Sequence, residues 1–207
     1  MPVKPPIVLA SGSAVRARLM RDAGIAFEQI ASGVDEAAVK ARIEAAEPRP
    51  GAHGTGPQIA RTLAEAKARD VSMQRPGALV VGADQVLTLG ARAYDKPRDV
   101  AEARQRLSAF RGKTHVLHSG VALVRDGATL WQHYEASCLT MRAFSDEFLD
   151  AYVAAVGDGL TASVGAYQLE GVGAQLFARI EGDYFAILGL PMLPLMAELR
   201  RHGALAT

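Results

Sequence analysis

The sequence predicts an α/β protein, a mixed sheet flanked by helices. Three observations carry that prediction. Short apolar runs such as Ile7-Val8-Leu9-Ala10 and Ala78-Leu79-Val80-Val81 have the length of buried strands and stop at small or polar residues. Between the runs, apolar residues recur at helical spacing, with Ser, Asp and Gly where helix ends are expected. The two patterns mix along the whole chain without an internal repeat, which fits neither an all-α nor an all-β protein. At 207 residues the chain has the size of one large domain or two small lobes, and we take 1–207 as a single domain.

The elements follow in order. Ile7–Ala10 is a strand, broken by Ser11-Gly12-Ser13. Val15, Leu19, Met20 and Ala23 share one helical face, and Gly24 stands where a helix C-terminal glycine belongs. A strand over Ile25–Ala31 and a helix over Glu36–Ala46 come next. Residues 47–57 hold six Gly or Pro in eleven positions and predict a loop. A helix fits 58–70. The strand at 78–81 leads into Gly82-Ala83-Asp84-Gln85, and Val86–Leu89, Gly90 and Arg92–Tyr94 form a hairpin. Asp99 caps a helix running to Phe110. Strands over 114–124 and 128–142 flank the turn Arg125-Asp126-Gly127. Ser145 opens an acidic helix start, and Gly157 closes that helix. Strands are expected over Gln175–Ile180 and Tyr184–Leu188, then a last helix that begins after Gly189-Leu190-Pro191 and ends near Gly203.

Composition removes several function classes. An apolar content of 49% with 22% charged residues excludes a disordered chain. Lys and Arg total 23 against 22 Asp and Glu, so no basic footprint points to nucleic acid. No stretch reaches the ~18 apolar residues of a membrane span. The first residues, Met1-Pro2-Val3-Lys4-Pro5-Pro6, lack the apolar core of a secretory leader. A cytoplasmic protein without membrane or nucleic-acid partners is expected. The sole cysteine, Cys138, forms neither an internal disulfide nor a CxxC site and is expected to be a packed, inert thiol.

Four constellations could carry chemistry. In Ser11-Gly12-Ser13-Ala14-Val15-Arg16, a strand ends and a helix begins. The N–H groups of a helix start favour an anion there. Arg16 opposes the helix dipole unless an anion is bound; the alternative is a Ser cap beside a solvated Arg. Asp84 follows an apolar strand, as a metal ligand, a base or a turn residue. In Asp95-Lys96-Pro97, Pro97 restricts Lys96 to extended backbone, so Lys96 is a phosphate clamp or a surface lysine. Asp35-Glu36 opens a helix, as dipole partners or metal ligands. The histidines His53, His115, His118, His133 and His202 lack HExxH spacing, and no GxSxG, GxGxxG or GxxxxGK[ST] occurs. His115 and His118, three apart on a strand, are expected to face opposite sides.

The order of these motifs resembles a family. Leu9-Ala10-Ser11-Gly12-Ser13 with Arg16, Gly82-Ala83-Asp84-Gln85-Val86, Lys96-Pro97, Gly165-Ala166-Tyr167-Gln168-Leu169-Glu170-Gly171, Ile180-Glu181-Gly182-Asp183-Tyr184 and Gly189-Leu190-Pro191 are similar in kind and order to the Maf family of nucleoside triphosphate pyrophosphatases. The resemblance runs from about residue 7 to 201. It implies a mixed sheet similar to inosine triphosphatase, two lobes around a central cleft, and frequent dimers. It implies hydrolysis of a nucleoside triphosphate to monophosphate and diphosphate with a divalent cation, magnesium or manganese. By position, Asp84 matches the catalytic acid and Glu36 an acid near the metal. Lys67 and Lys96 match lysines of the phosphate site, and Ser11, Ser13 and Arg16 the phosphate loop. Many members carry Asp-Lys before the Ala-Gly-x-Tyr segment, where this chain has Ala162 and Ser163. A nucleotide-binding regulator of septation is the alternative that the family also offers.

Three positions separate subgroups within the resemblance. Pyrimidine-type members, acting on thymidine and uridine triphosphates, carry Arg, Thr and Gln where this chain has Val15, Gln85 and Glu170. Members acting on 7-methylguanosine triphosphate carry an aromatic residue, Gln and Glu. Gln85 and Glu170 match the second group and Val15 matches neither. A carboxylate accepts hydrogen bonds from guanine N–H groups and suits a cationic methylated base. A methylated or purine-like triphosphate is the expected substrate, with a thymidine or uridine triphosphate as the alternative.

Overall fold

The computed structural model describes residues 4–46 and 55–206. His53 and most of the Gly/Pro-rich stretch, residues 47–54, lie outside the described residues. The chain forms β1 (Ile7–Ala10), α1 (Ala14–Asp22), β2 (Glu28–Gln29), α2 (Glu36–Ala46), α3 (Thr55–Ser72), β3 (Leu79–Leu89) and β4 (Arg92–Tyr94). It continues with α4 (Val100–Phe110), β5 (Thr114–Arg125), β6 (Ala128–Met141), α5 (Asp146–Val156), β7 (Phe177–Glu181), α6 (Tyr184–Ile187) and α7 (Met192–Arg201). The sheet has the order β2-β1-β3-β5-β6-β7, with β4 paired to β3. Pairs β1–β2 and β1–β3 are parallel, and β3–β4 and β6–β7 antiparallel, which makes the sheet mixed as expected.

The chain divides into two compact units. The first gathers the described residues up to Gln85, His118–Ala136, and those from Asp183 onward; the second gathers Val86–Leu117 and Ser137–Gly182. In the first unit, β1 is buried along its whole length, as a strand covered on both faces must be. Leu9, Leu79, Val81 and Leu123 pack with Met20 of α1 and Leu195 and Leu199 of α7. Val8, Ala10 and Val80, on the alternate face, pack with Ala68 and Val71 of α3.

Helix α3 lies unusually close to the sheet. A Cβ on Gly82 would stand 2.0 Å from the Ala64 carbonyl oxygen and 2.8 Å from the Ala68 Cβ. A Cβ on Gly120 of β5 would stand 2.4 Å from the Ala60 carbonyl oxygen. Two strand glycines thus meet a stripe of alanines at i, i+4 and i+8, and backbone packs on backbone. In the second unit a group of rings joins an aliphatic core that includes Leu107, Leu139 and Leu149. Tyr94 meets Phe110 edge-on at 5.0 Å, and Tyr167 meets Phe177 edge-on at 4.8 Å, with His115 between the two pairs.

Several expectations are corrected. Gly82 does not end a strand: β3 runs through it, so Asp84 stands within an eleven-residue strand. Tyr184–Leu188 is helical rather than extended, because the Asp183 side chain accepts from the Ala186 N–H and caps α6. The strand over Ile25–Ala31 contracts to Glu28–Gln29. The helix expected over 58–70 begins at Thr55, since its first turn tolerates Pro57. A 3-10 turn over Val172–Leu176 delays β7 to Phe177. Cys138 is half-buried on β6 rather than fully packed. The hairpin at Gly90, the Asp126-Gly127 turn with both residues at positive φ, and the Asp99 and Ser145 caps form as the residues predict.

Candidate active site

Three charged side chains of the first unit meet at one point. Lys67 Nζ donates to Asp84 Oδ1 at 2.7 Å and lies 2.6 Å from Glu36 Oε1. Lys67 and Asp84 side chains are each 9% exposed, and Glu36 is 47% exposed. The close approach at Gly82 makes this possible, since it lays α3 against β3 two residues before Asp84. Asp35 caps α2 by accepting from the Ala38 N–H at 3.0 Å, which sets Glu36 in the first helical turn. Burial raises the Asp84 carboxyl above its ordinary range against the pull of Lys67 and Arg16. Burial also works to raise Glu36, but there the Lys67 hydrogen bond and charge prevail and hold it below the carboxylate range.

The Ser11–Arg16 turn adjoins this cluster, because Ala10 pairs with Gly82. Ser13 caps α1 by accepting from the Arg16 N–H at 3.4 Å. Gln29 Nε2 donates to the Ser11 carbonyl at 2.8 Å and fixes the turn from β2. The Arg16 guanidinium donates through Nε to the Gly189 carbonyl at 2.8 Å. Through Nη1 it donates to Ser11 Oγ at 3.1 Å and to the Ala83 carbonyl at 2.9 Å. Burial lowers its pKa, while Asp84 and Glu36 oppose the shift. Gln85 Nε2 lies 3.0 Å from Ser119 Oγ, the Ala186 carbonyl and the Ile187 carbonyl. Arg16 and Gln85 thereby tie the segment 186–189 to α1 and β3. Val15 is half-buried in the first turn of α1.

Lys96 and Glu170 belong to the second unit, and both are exposed. Ser163 Oγ donates to the Tyr167 carbonyl at 2.7 Å and accepts from the Tyr167 N–H at 3.1 Å, closing a tight turn before Glu170. Among the described residues, the two buried histidines each pair with a tyrosine hydroxyl. His115 Nε2 lies 2.7 Å from the Tyr167 hydroxyl within the second unit, and His118 Nδ1 lies 2.7 Å from the Tyr134 hydroxyl within the first.

The cluster suits a hard divalent cation. Asp84 and Glu36 already converge on one positive charge, Lys67, and both offer carboxylate oxygen. Among the described residues no group of three or more His, Cys, Asp and Glu forms a complete cage. Two carboxylates with phosphate and water oxygens completing the shell is the mode magnesium prefers. Sequence reasoning missed the supporting residues. The Ala60, Ala64, Ala68 stripe facing Gly82 and Gly120 was a readable signal; Gln29 and Ser119 gave none.

Comparison with known proteins extends the picture. A family model described as Maf-like protein matches residues 6–202. A 7-methyl-GTP pyrophosphatase of Rhizobium meliloti (strain 1021) is 48% identical over 98% of this chain and 99% of its own. A nucleoside triphosphate pyrophosphatase of Paramagnetospirillum magneticum is 53% identical over 96% of this chain and 99% of its own. A HAM1 protein from Coxiella burnetii overlaps 68% of this chain and 74% of its own, with a TM-score of 0.42 and 18% identity. The mixed sheet rests on its own strand pairings and not on that last likeness. With the family model spanning nearly the whole sequence and relatives about half identical from end to end, the chain belongs to the Maf-like protein family.

Proposed function

We propose that this chain is a nucleoside triphosphate pyrophosphatase of nucleotide house-cleaning, releasing the monophosphate and diphosphate. The observation that carries the reading is the Lys67-bridged pair of Asp84 and Glu36, set beside a strand-to-helix turn. That arrangement occurs in a chain about half identical to proteins named for this activity.

The residues divide the work. The first turn of α1, with Ser11 and Ser13, offers N–H and hydroxyl groups to the phosphates. Lys67, Arg16 and Lys96 offset the phosphate charge that repels an attacking oxygen. Water attacks the α-phosphorus, the bond from it to the bridging oxygen of the β-phosphate breaks, and diphosphate leaves. Asp84 takes the water proton, and its raised pKa makes it a better acceptor than an ordinary aspartate. Glu36 would hold a magnesium or manganese ion, joined by Asp84 in the alternative where Asp84 is ligand and not base, and the ion supplies further charge neutralisation when bound.

The base is a methylated or otherwise purine-like one, read by Glu170 with Gln85 and Val15. Relatives named 7-methyl-GTP pyrophosphatase support that preference. The enzyme acts on the cytoplasmic nucleotide pool and works as a homodimer. The described residues include no helix long and apolar enough to cross a membrane.

A nucleotide panel with magnesium or manganese tests the reading. It should include 7-methylguanosine, guanosine, thymidine and uridine triphosphates, with products identified. Monophosphate and diphosphate from the methylated substrate are expected. Release of single phosphate, or no turnover of any nucleotide, overturns it, and a preference for thymidine or uridine triphosphate overturns the base assignment alone.

A further inference from the structure

Arg106 of α4 is a buried cation, 6% exposed, that the scheme above does not use. One guanidinium nitrogen, Nη1, donates to two backbone carbonyls, that of Asp95 and that of Val164, the latter at 2.6 Å. The other, Nη2, donates to Glu102 Oε1 at 3.0 Å. The guanidinium carbon lies 5.3 Å from the centre of the Tyr94 ring. All of these residues belong to the second unit.

The two carbonyls mark a pattern. Asp95 directly precedes Lys96, and Val164 directly precedes Gly165-Ala166-Tyr167-Gln168-Leu169-Glu170. These are the two segments of this unit that carry candidate ligand side chains, 69 residues apart in sequence. Each has a second restraint. Pro97 restricts Lys96 to extended backbone. Ala166 sits at φ +58, a left-handed conformation that a non-glycine residue keeps only when its surroundings impose it. Ser163 and the Tyr167–His115 contact supply part of that imposition, and Arg106 supplies the grip on the residue two before it.

A buried guanidinium is a costly way to fill space. Burial lowers the Arg106 pKa against the pull of Glu102, and an apolar side chain of similar volume would pack without that cost. An apolar side chain cannot hold two carbonyls at a fixed separation. We propose that Arg106 is a positioning residue, clamping the Lys96 segment and the Glu170 segment into one arrangement so that phosphate charge and base are read together. The proposal rests on the assignment of Lys96 and Glu170 to a nucleotide.

The test has two arms, on the full chain and on Arg106→Met. In the first, amide hydrogen exchange should rise about tenfold in peptides spanning 94–98 and 163–170, and stay unchanged in β1 and α7. In the second, Lys96→Ala should cost about tenfold in kcat/KM in the native background and less than about threefold beside Arg106→Met. Unchanged protection of either segment overturns the clamp. An equal Lys96→Ala penalty in both backgrounds overturns the positioning role and leaves Arg106 a packing residue. If the native chain hydrolyses no nucleotide, the functional reading fails, and the exchange arm still decides the clamp. Should Arg106→Met not fold, Arg106→Lys carries both arms. It keeps the charge beside Glu102, yet its compact ammonium lacks the guanidinium's fixed fork of donors, so the same pattern is expected at smaller size. Native protection with a full Lys96 penalty in that variant overturns the proposal.

Discussion

In the first unit Lys67 and Asp84 are buried and Glu36 half-exposed, and the three touch, with Lys67 2.7 Å from Asp84 and 2.6 Å from Glu36. In the second unit Lys96 and Glu170 are exposed, and the buried groups are those that hold their backbone, Arg106, His115 and Tyr167. The two arrangements suit different tasks. Charges fixed in a poorly solvated place act strongly on one another and on a reacting group. Exposed side chains on a pinned backbone stand within reach of a ligand. On the proposed reading, the first unit carries the reaction and the second reads the nucleotide.

The comparison breaks most sharply at Lys67. Lys67→Met leaves Asp84 buried without its cation, and we expect a loss of about 3–5 kcal/mol of stability in chemical denaturation. Turnover should fall at least about a hundredfold. Gly82→Ala tests the same centre without touching a charge. Its new Cβ meets backbone at 2.0 Å, so α3 must move away and take Lys67 with it. A loss near about 3 kcal/mol is expected, read as a fall in Tm of roughly 6–12 °C.

His115 tests the second unit by pH. Burial drives its pKa down from 6.5 to about 4, so the folded chain holds it neutral while the unfolded chain protonates it. Between these values the unfolded state binds more protons, and stability falls as pH drops from 6.5 toward 4. The loss attributable to His115 is on the order of 3 kcal/mol. His115→Gln should flatten that part of the pH–stability curve; an unaltered slope would contradict the buried neutral ring. The smallest effect belongs to Glu170→Gln, which leaves the fold unchanged. It should shift the ratio of kcat/KM for 7-methylguanosine over thymidine triphosphate by about tenfold toward the pyrimidine, through one lost charge-assisted hydrogen bond.

Much of this was legible in the residues. The run Leu9-Ala10-Ser11-Gly12-Ser13 announces a strand, a break and a capped helix, and each formed. The caps at Asp99 and Ser145 were legible because a short polar side chain before an amphipathic run has few other uses. Asp84 reads in sequence as the residue beyond a strand's end, whereas it stands inside β3. Gly82 reads as a strand breaker, and only the facing alanines of α3 reveal it as a close contact inside β3. Tyr184–Leu188 has the apolar content of a strand, and the Asp183 cap on the Ala186 N–H, with backbone bonds from Ile187 to Asp183 and Leu188 to Tyr184, makes it helix. Arg16 and Gln85 read in sequence as candidate ligand residues. Their partners Gly189, Ala186 and Ile187 lie about a hundred residues or more away, where no local pattern can point to them.

Asp84→Asn tests the central claim most directly, since it keeps the size of the side chain and removes the proton acceptor. Steady-state hydrolysis of the preferred triphosphate should be followed beside nucleotide binding and thermal melting. The account predicts a fall in kcat of at least about a hundredfold, with binding and folding retained. Near-native turnover by Asp84→Asn would contradict the account and move the chemistry away from the Lys67–Asp84–Glu36 cluster.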